Sequence, residues 1–163
     1  MSKRIILVGR ATAGKDYLRK KFESRGFKYQ ISYTTRPPRP GEVDGKDYHF
    51  ITPEEANRMT LNGEWYESVP FNGWTYGTSM KQFYSEDASI FIMTPSGLKH
   101  IKPEDRLTSF VIYLNPPQEI IEQRMKLRQM PGDTAANRIA SDLEQFRDFD
   151  DFDMEVKNPD GIF

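Results

Sequence analysis

The sequence predicts an α/β fold in which a mostly parallel β-sheet is flanked by helices. Short apolar segments rich in β-branched residues alternate along the chain with longer segments of helical periodicity, an order typical of parallel sheets. The first apolar segment, residues 5–8, is closed by Gly9 and is uniformly apolar, as expected for a strand buried on both faces. A further signal, Asn72 followed by Gly73, predicts a tight turn and therefore an inserted antiparallel hairpin.

The helices are predicted from their caps and their apolar faces. The first helix has an apolar side and ends before Gly26, a residue suited to the left-handed position after a helix. The second helix opens with a Thr cap, a Pro in the first turn and two acidic residues that favour the helix dipole, and Gly63 stops it. A Pro-Gly-Asp sequence separates the last two helices. The predicted helices are residues 15–24, 52–62, 116–130 and 134–149.

The strands are predicted from β-branched and aromatic runs bounded by turn residues. Residues 35–45 carry three Pro and two Gly, so this segment is predicted to be an irregular but ordered loop. The predicted strands are residues 5–8, 27–33, 64–76 (as a hairpin), 89–94, 107–114 and 154–156.

Length and composition exclude several classes of protein. The 163 residues suit a single domain over residues 1–163, and 37% hydrophobic residues with 21 aromatics are enough for a core. The absence of Cys excludes disulfides, thiolate metal sites and a cysteine nucleophile. The apolar runs are too short to span a membrane, so we expect no membrane partner and a cytoplasmic location.

Charge is nearly balanced overall but unevenly distributed. The formal net charge is −1, yet residues 1–50 hold 12 basic and 5 acidic side chains, so the acidic excess lies downstream. The near-neutral total argues against a general nucleic-acid partner, whereas the basic first third indicates an anionic ligand that is bound locally.

A phosphate-binding loop is indicated between the first strand and the first helix. Residues 9–16 fit the P-loop pattern GxxxxGK[ST] through its seventh position, in the strand–loop–helix context that the pattern requires. Backbone N–H groups and the helix N-terminus would bind phosphates there, and Lys15 would reach the β- and γ-phosphates. The alternative is a glycine-bounded turn with an ordinary surface lysine. The predicted ATP-binding residues of this segment are Gly9, Arg10, Ala11, Thr12, Ala13, Gly14, Lys15, Asp16 and Tyr17.

Asp16 breaks the pattern at its eighth position. The expected hydroxyl there ligates Mg²⁺ beside the phosphates, and a carboxylate is also a hard oxygen ligand. Without a metal, the carboxylate would repel phosphate, and Asp16 would then be an acidic residue in the first turn that favours the helix dipole. Of the two, metal coordination by Asp16 is the preferred interpretation.

Residues 32–50 indicate a second anion site. Arg36 and Arg39 lie three apart in a loop stiffened by Pro, and arginine binds phosphate in a planar, bidentate way. A solvated basic loop is the alternative. The segment resembles the acceptor motif of guanylate kinase and its relatives, S-x-[ST]-T-R-x-P-R-x-G-E-x-[DN]-G-x-D-Y-x-F. The matching positions are Ser32, Thr34, Thr35, Arg36, Pro38, Arg39, Gly41, Glu42, Asp44, Gly45, Asp47, Tyr48 and Phe50.

The resemblance covers residues 4 to about 160 and implies an organisation and a set of binding residues. It implies a P-loop NTPase-like core (residues 1–31, 80–115 and 139–163), a small β-rich acceptor-binding subdomain (32–79) and a short helical lid (about 124–138). The implied clamp for the acceptor phosphate is Arg36, Arg39, Tyr48 and Tyr76, and the implied guanine readers are Ser32, Glu67 and Thr78.

The physical chemistry of guanine agrees with the role implied for Glu67. Guanine presents adjacent N1–H and N2–H donors, which one carboxylate accepts together. Adenine lacks that pair and would leave a buried carboxylate unpaired. Without its matching neighbours, Glu67 would be interpreted as an exposed strand carboxylate.

The lid arginines and Asn158 are also implied by the resemblance. Arg124, Arg128 and Arg138 resemble lid arginines that cover the donor nucleotide and neutralise charge on the transferring phosphoryl group, and Asn158 falls near the implied adenine position. On a helix the spacing of Arg124 and Arg128 places them on one face, where a pair of solvated arginines is the alternative.

The chain departs from the family pattern in four ways. Asp16 replaces the P-loop hydroxyl, and Ile92 and Thr94 replace the two acids of the strand motif I-L-D-[IV]-D-x-Q-G. The lid is one residue shorter, and the family's final helix is missing. One hypothesis is that Asp16 takes over part of the electrostatic role lost at Ile92 and Thr94.

The implied activity is Mg²⁺-dependent transfer of the γ-phosphoryl group of ATP to GMP or dGMP, giving ADP and GDP or dGDP. The implied catalytic residues are Lys15, Arg36, Arg39, Arg128 and Arg138. Such a reaction needs in-line positioning and charge neutralisation rather than a strong general base. A non-catalytic guanylate-kinase-like binding module and a nucleoside monophosphate kinase with altered base preference are the alternatives. The sequence makes no prediction of oligomeric state.

Overall fold

A parallel sheet and a smaller mixed sheet form the framework of the protein. The computed structural model describes residues 4–127 and 135–161, with side chains for residues 4–127 and 139–160. The strands are β1 (Arg4–Gly9), β2 (Lys28–Tyr29), β3 (Tyr33–Thr34), β4 (His49–Phe50), β5 (Trp65–Phe71), β6 (Trp74–Ser79), β7 (Ser89–Ile92), β8 (Ser109–Leu114) and β9 (Met154–Val156). The helices are α1 (Lys15–Glu23), α2 (Pro53–Leu61), α3 (Met80–Phe83), α4 (Pro95–Leu98), α5 (Pro103–Leu107), α6 (Gln118–Leu127) and α7 (Ala135–Gln145), followed by a 3₁₀ turn (Pro159–Gly161).

The larger sheet confirms the predicted fold class. Its five strands run in the order β2-β7-β1-β8-β9, and every pair is parallel. Successive residues of a strand point to opposite faces, so Leu7 packs into one apolar cluster while Ile6 and Val8 pack into another. Helices α1 and α6 cover the first cluster through Leu18 and Met125, among others. This places the carboxyl end of β1, where the phosphate loop begins, above a rigid core.

The smaller sheet contains the predicted hairpin. Its strand order is β4-β3-β6-β5, with β5 and β6 antiparallel. Asn72 and Gly73 connect these strands with φ values of 51° and 81°, the left-handed conformation that a tight hairpin turn requires. Strand β6 also passes very close to β5: a Cβ on Gly77 would lie 2.6 Å from the carbonyl oxygen of Glu67.

Some element predictions were wrong in their extent. The strand predicted at residues 27–33 is two short strands, because β2 pairs with β7 in the larger sheet and β3 pairs with β4 and β6 in the smaller one. Within the described residues, α6 begins two residues later than predicted and α7 ends four residues earlier, and the short helices α3, α4 and α5 were not predicted at all. The division into core, acceptor-binding subdomain and lid stays a prediction, and residues 128–134 of that lid lie outside the described residues.

A helix must be both long and apolar to cross a bilayer. Within residues 4–127 and 135–161, none is both long enough and apolar enough to cross a bilayer.

Candidate functional site

The loop between β1 and α1 has the geometry of a phosphate-binding loop. Thr12 and Gly14 adopt positive φ values of 64° and 102°, which turn the chain sharply before α1 begins at Lys15. Gly9 allows a close approach, since a Cβ there would lie 2.9 Å from the carbonyl oxygen of Leu114. The Nζ of Lys15 donates to the carbonyl oxygen of Gly9 at 2.6 Å, so the lysine folds back over the loop.

A cavity of about 930 Å³ extends from this loop to the smaller sheet. Most of the predicted donor and acceptor residues whose side chains are described line it, so the fold brings together segments far apart in sequence. The predicted residues that line the cavity are Gly9, Ala11, Thr12, Ala13, Gly14, Lys15, Asp16, Tyr17, Ser32, Arg36, Arg39, Tyr48, Glu67, Tyr76, Arg124 and Asn158.

Two predicted residues do not line the cavity. The side chain of Arg10 is buried away from it and donates to the carbonyl oxygen of Pro116 at 2.9 Å and to the side chain of Asn115 at 3.0 Å. Thr78 is buried behind Glu67, to which its hydroxyl donates. Arg10 therefore belongs to the loop through its backbone, and Thr78 acts by holding Glu67.

Arg36 is preorganised by a partner to which the sequence analysis gave no role. Its two terminal nitrogens donate to the two carboxylate oxygens of Glu42 at 2.8 and 3.0 Å. These hydrogen bonds raise the pKa of Arg36 and lower the pKa of Glu42. The guanidinium carbon lies 5.3 Å from the ring centre of Tyr48, and the Tyr48 and Tyr76 rings are 5.9 Å apart. Three of the four predicted clamp residues thus form one cluster.

The fourth clamp residue, Arg39, is exposed at the entrance of the cavity. Its backbone N–H donates to Glu42 at 2.7 Å, so the same carboxylate that fixes Arg36 also fixes the loop that carries Arg39. The side chain of Arg39 is therefore placed by the loop and is accessible from solvent.

Glu67 is buried in the wall of the cavity. It is only 8% exposed and accepts a hydrogen bond from the Thr78 hydroxyl at 2.8 Å. Burial raises the pKa of Glu67 to about 7, which is the shift expected when a carboxylate loses hydration. A buried carboxyl group that lines a ligand-sized cavity is typical of a recognition site.

The two strand positions that lack the expected acids have structural roles instead. Ile92 packs against the core cluster under α1. The Thr94 hydroxyl accepts from the backbone N–H of Gly97 at 3.0 Å and caps α4, a role that an aspartate also performs well. With Ile92 and Thr94 at these positions, neither residue gives the cavity a negative charge. Ile92 still packs against the core, and Thr94 still caps α4.

Asp16 lies at the edge of the loop. Its side chain is 73% exposed, and its Oδ1 accepts from the Nη2 of Arg19 at 3.2 Å. Within the described part of the chain there is no group of three or more His, Cys, Asp or Glu side chains that could hold a metal. Asp16 is thus a single carboxylate ligand candidate.

Residues predicted for the adenine site and the lid contact the loop, or lie next to a contact with α1. Arg124 donates through Nη1 to the carbonyl oxygen of Thr12 at 2.9 Å. Tyr17 donates to Asp160, whose backbone N–H in turn donates to the Asn158 side chain at 3.1 Å.

For two of the predicted lid residues, the structure describes no side chain. Arg128 and the side chain of Arg138 lie outside the described residues.

Besides Glu42, sequence reasoning missed two further charged residues of the site. Asp142 on α7 is buried and its Oδ2 accepts from the backbone N–H of Ala11 at 2.8 Å, a contact across 131 positions that no local pattern signals. Arg19 lines the cavity one helical turn after Asp16, and this three-residue spacing was a usable signal.

Comparison with known proteins gives a consistent result. The family model described as guanylate kinase matches residues 1–160. The chain is 34% identical to a guanylate kinase of Sus scrofa, over 94% of this chain and 83% of that protein. It is 32% identical to a guanylate kinase of a Nostoc species, over 97% and 83% of the two chains. Its fold is similar to that of a guanylate kinase from Anaplasma phagocytophilum, with a TM-score of 0.72, 21% identity, and coverage of 98% and 79%.

Proposed function

The chain belongs to the guanylate kinase family, and from this premise we propose that it transfers the γ-phosphoryl group of ATP to GMP or dGMP. The products are ADP and GDP or dGDP. The observation that carries the proposal is the single cavity that contains both the phosphate loop and the Arg36–Tyr48–Tyr76 cluster. A phosphoryl group can pass directly between two nucleotides only if both bind in one such space.

Each part of the cavity has a distinct role in the proposed reaction. The backbone of the phosphate loop and Lys15 hold the donor phosphates, while Arg36 and Arg39 hold the acceptor phosphate, with Tyr48 and Tyr76 beside it. The acceptor phosphate is already ionised, so the residues act by alignment and charge neutralisation rather than by taking a proton. Arg128 and Arg138 are proposed from sequence alone to cover the donor.

The base is selected by the buried carboxyl group of Glu67. In its ionised form it accepts from the N1–H and N2–H groups of guanine, and Thr78 holds it in place. Ser32 also lines the cavity and is proposed as a further base contact. AMP would leave the carboxylate without donors, and this penalty supports selection for guanine.

Mg²⁺ is proposed as the cofactor that accompanies ATP. Mg²⁺ is commonly bound through one or two carboxylates together with substrate phosphates and water, so a single carboxylate fits it. Asp16 would hold it, since its side chain is largely exposed and lines the cavity beside Lys15. When bound, Mg²⁺ supplies positive charge to the donor phosphates. We place the enzyme in the cytoplasm, with nucleotides as its partners.

The test is an ADP-release assay with ATP, Mg²⁺ and each of GMP, dGMP, AMP, CMP, UMP and dTMP. Turnover is expected with GMP or dGMP and not with the other acceptors. Lys15→Ala should lose at least roughly 100-fold in kcat/KM, because it removes the loop's charge on the transferring group. Lys20→Ala is the matched control, since Lys20 is exposed on the same helix and should change little.

Two outcomes would contradict the proposal. GMP binding without turnover for any acceptor would indicate a non-catalytic binding module. Fastest turnover with an acceptor that lacks guanine would refute the role of Glu67 in base selection.

A further inference from the structure

Arg19 is a cation of the cavity that lies outside the P-loop pattern. It is on α1, one turn after Asp16, and lines the same cavity as Lys15 and Arg36. Long side chains of a helix point back toward its N-terminus, and α1 begins at the phosphate loop. One side of the guanidinium accordingly meets Asp16 beside the loop, while its other side meets Glu23 one turn further along α1.

Three groups fix the orientation of the Arg19 guanidinium. Its Nη2 donates to Asp16 at 3.2 Å and its Nη1 donates to Glu23 at 2.9 Å. Its central carbon lies 4.5 Å from the ring centre of Tyr29, a distance typical of a cation–π contact. The Arg19 side chain is therefore only 18% exposed, although the side chains of Asp16 and Glu23 are 73% and 37% exposed.

Arg19 is linked to the acceptor side of the cavity through Tyr29. Tyr29 belongs to β2, after which the chain leaves the larger sheet for the smaller one. Burial raises the pKa of Tyr29, and Asp16, Arg19 and Tyr48 are all near enough to influence it electrostatically. Arg19 thus packs on Tyr29, and both residues line the same cavity as Tyr48, which stands against Arg36.

Arg19 has five side-chain N–H groups, of which two donate to Asp16 and Glu23. Its Nε is buried and finds no hydrogen-bond partner within the part of the chain that the structure describes. The donors left for a ligand oxygen are therefore the second N–H groups of Nη1 and Nη2, which the bonds to Asp16 and Glu23 do not use. The simplest alternative is that Arg19 only stabilises α1 through its two ion pairs, but exposed pairs of this kind contribute little.

We propose that Arg19 is a further binding residue for the acceptor phosphate, positioned by Asp16 and Glu23 against Tyr29. The inference rests on the proposed transfer to GMP and names an additional cation for that substrate. A guanidinium already fixed in one plane loses little conformational freedom when a phosphate binds. The pairing also shows how an acidic residue is accommodated at the eighth loop position, since Arg19 offsets the charge of Asp16 next to the phosphates.

The experiment is calorimetric titration of the full chain with GMP, without ATP or Mg²⁺, and separately with ATP alone. Arg19→Gln should weaken GMP binding roughly tenfold, the loss expected for a charge-assisted hydrogen bond, and should change ATP binding less than about twofold. Arg19→Lys keeps the charge and should give an intermediate GMP affinity. Lys20→Gln removes the same charge from the same helix and should leave both affinities unchanged. Thermal unfolding checks that each variant is folded.

The outcomes separate this inference from the proposed function. No GMP binding by the unmodified chain would refute the proposed function, and the role of Arg19 with it. GMP binding that is equal for the unmodified chain and Arg19→Gln would refute only the role of Arg19. Equal weakening of GMP and ATP would also refute it, because that result indicates a general charge effect. If Arg19→Gln fails to fold, Arg19→Lys decides: GMP binding weaker than in Lys20→Gln supports the role, and equal binding refutes it.

Discussion

Replacing Glu67 with Gln should stabilise the protein above neutral pH. Burial raises the pKa of Glu67 from the usual 4.5 to about 7, so the folded state binds this proton more tightly than the unfolded state does. The contribution of the group is favourable below about pH 4.5 and is lost as the pH rises through 7. The loss amounts to roughly 3 kcal/mol, since each unit by which the pKa moves corresponds to about 1.36 kcal/mol. Gln has nearly the same shape, bears no charge and still accepts from Thr78, so it avoids this loss.

The same substitution should weaken GMP binding. Gln presents one carbonyl oxygen and an NH₂ group, so it accepts from only one of the two guanine donors and sets a donor against the other. We expect GMP affinity to fall roughly 100-fold at pH 8, in line with the cost of an unpaired polar group in a recognition site. In the unmodified protein, GMP binding should strengthen as the pH rises through 7, because only the ionised Glu67 accepts both donors. In Glu67→Gln the part of this pH dependence that arises from the carboxyl group should disappear, leaving the part due to the GMP phosphate, whose second pKa is about 6.

Urea unfolding and calorimetric GMP titration at pH 5 and pH 8 measure both effects. Glu54→Gln is the matched control: Glu54 is exposed on α2, so its replacement should leave GMP binding unchanged and cost less than about 1 kcal/mol of stability through the helix dipole. The reasoning is refuted if Glu67→Gln has the same stability as the unmodified protein at pH 8, or if it binds GMP equally well. A gain in stability at both pH values would show that the carboxyl group is unfavourable for a reason other than its charge.

Three further substitutions test the geometry of the acceptor clamp and the smaller sheet. Arg36→Lys keeps a positive charge but cannot form the planar double contact with Glu42. In calorimetric titrations, GMP affinity should therefore fall roughly tenfold while ATP affinity is unchanged. Equal losses of affinity for both nucleotides would contradict this expectation. Gly77→Ala places a Cβ 2.6 Å from the carbonyl oxygen of Glu67 and 2.8 Å from the Trp65 ring, and should cost about 1–3 kcal/mol in urea unfolding. Gly73→Ala is the comparison, because a Cβ there meets nothing within 4 Å and only the φ of +81° is unfavourable. This substitution should cost about 1 kcal/mol in the free energy of unfolding. A larger loss of stability at Gly73 than at Gly77 would contradict the close-contact argument.

The sequence predicted features that depend on neighbouring residues. The phosphate loop, the Thr cap of α2 and the turn at Asn72 and Gly73 all arise from interactions within a few positions, and all are present. The short helices had similar signals that were not used. Ser79 and Gln82 form a capping box at α3, and Thr94 followed by Pro95 repeats the start of α2. Four-residue helices have weak periodicity, so only their caps identify them.

Contacts between distant segments could not be predicted from local patterns. Asp142 meets the N–H of Ala11 only because α7 packs beside the loop. The sequence also cannot show that Arg10 turns away from the cavity, since that depends on where Asn115 and Pro116 lie in the fold. The family pattern brought Arg36, Tyr48 and Tyr76 into one set, but their spacing alone did not.

The charges of the cavity explain how a nearly neutral chain can bind two polyanionic nucleotides. Arg36 is held by Glu42 and Arg19 is held by Asp16, so each of these cations has an anion that fixes its orientation. Each pair reduces the net positive charge of the cavity and also reduces the conformational entropy lost when a phosphate binds. Affinity then depends on the placement of the donors rather than on the total charge. A binding site of this kind discriminates between phosphates by geometry, which is what a transfer between two particular nucleotides requires, whereas a strongly basic surface would attract nucleic acids without distinction.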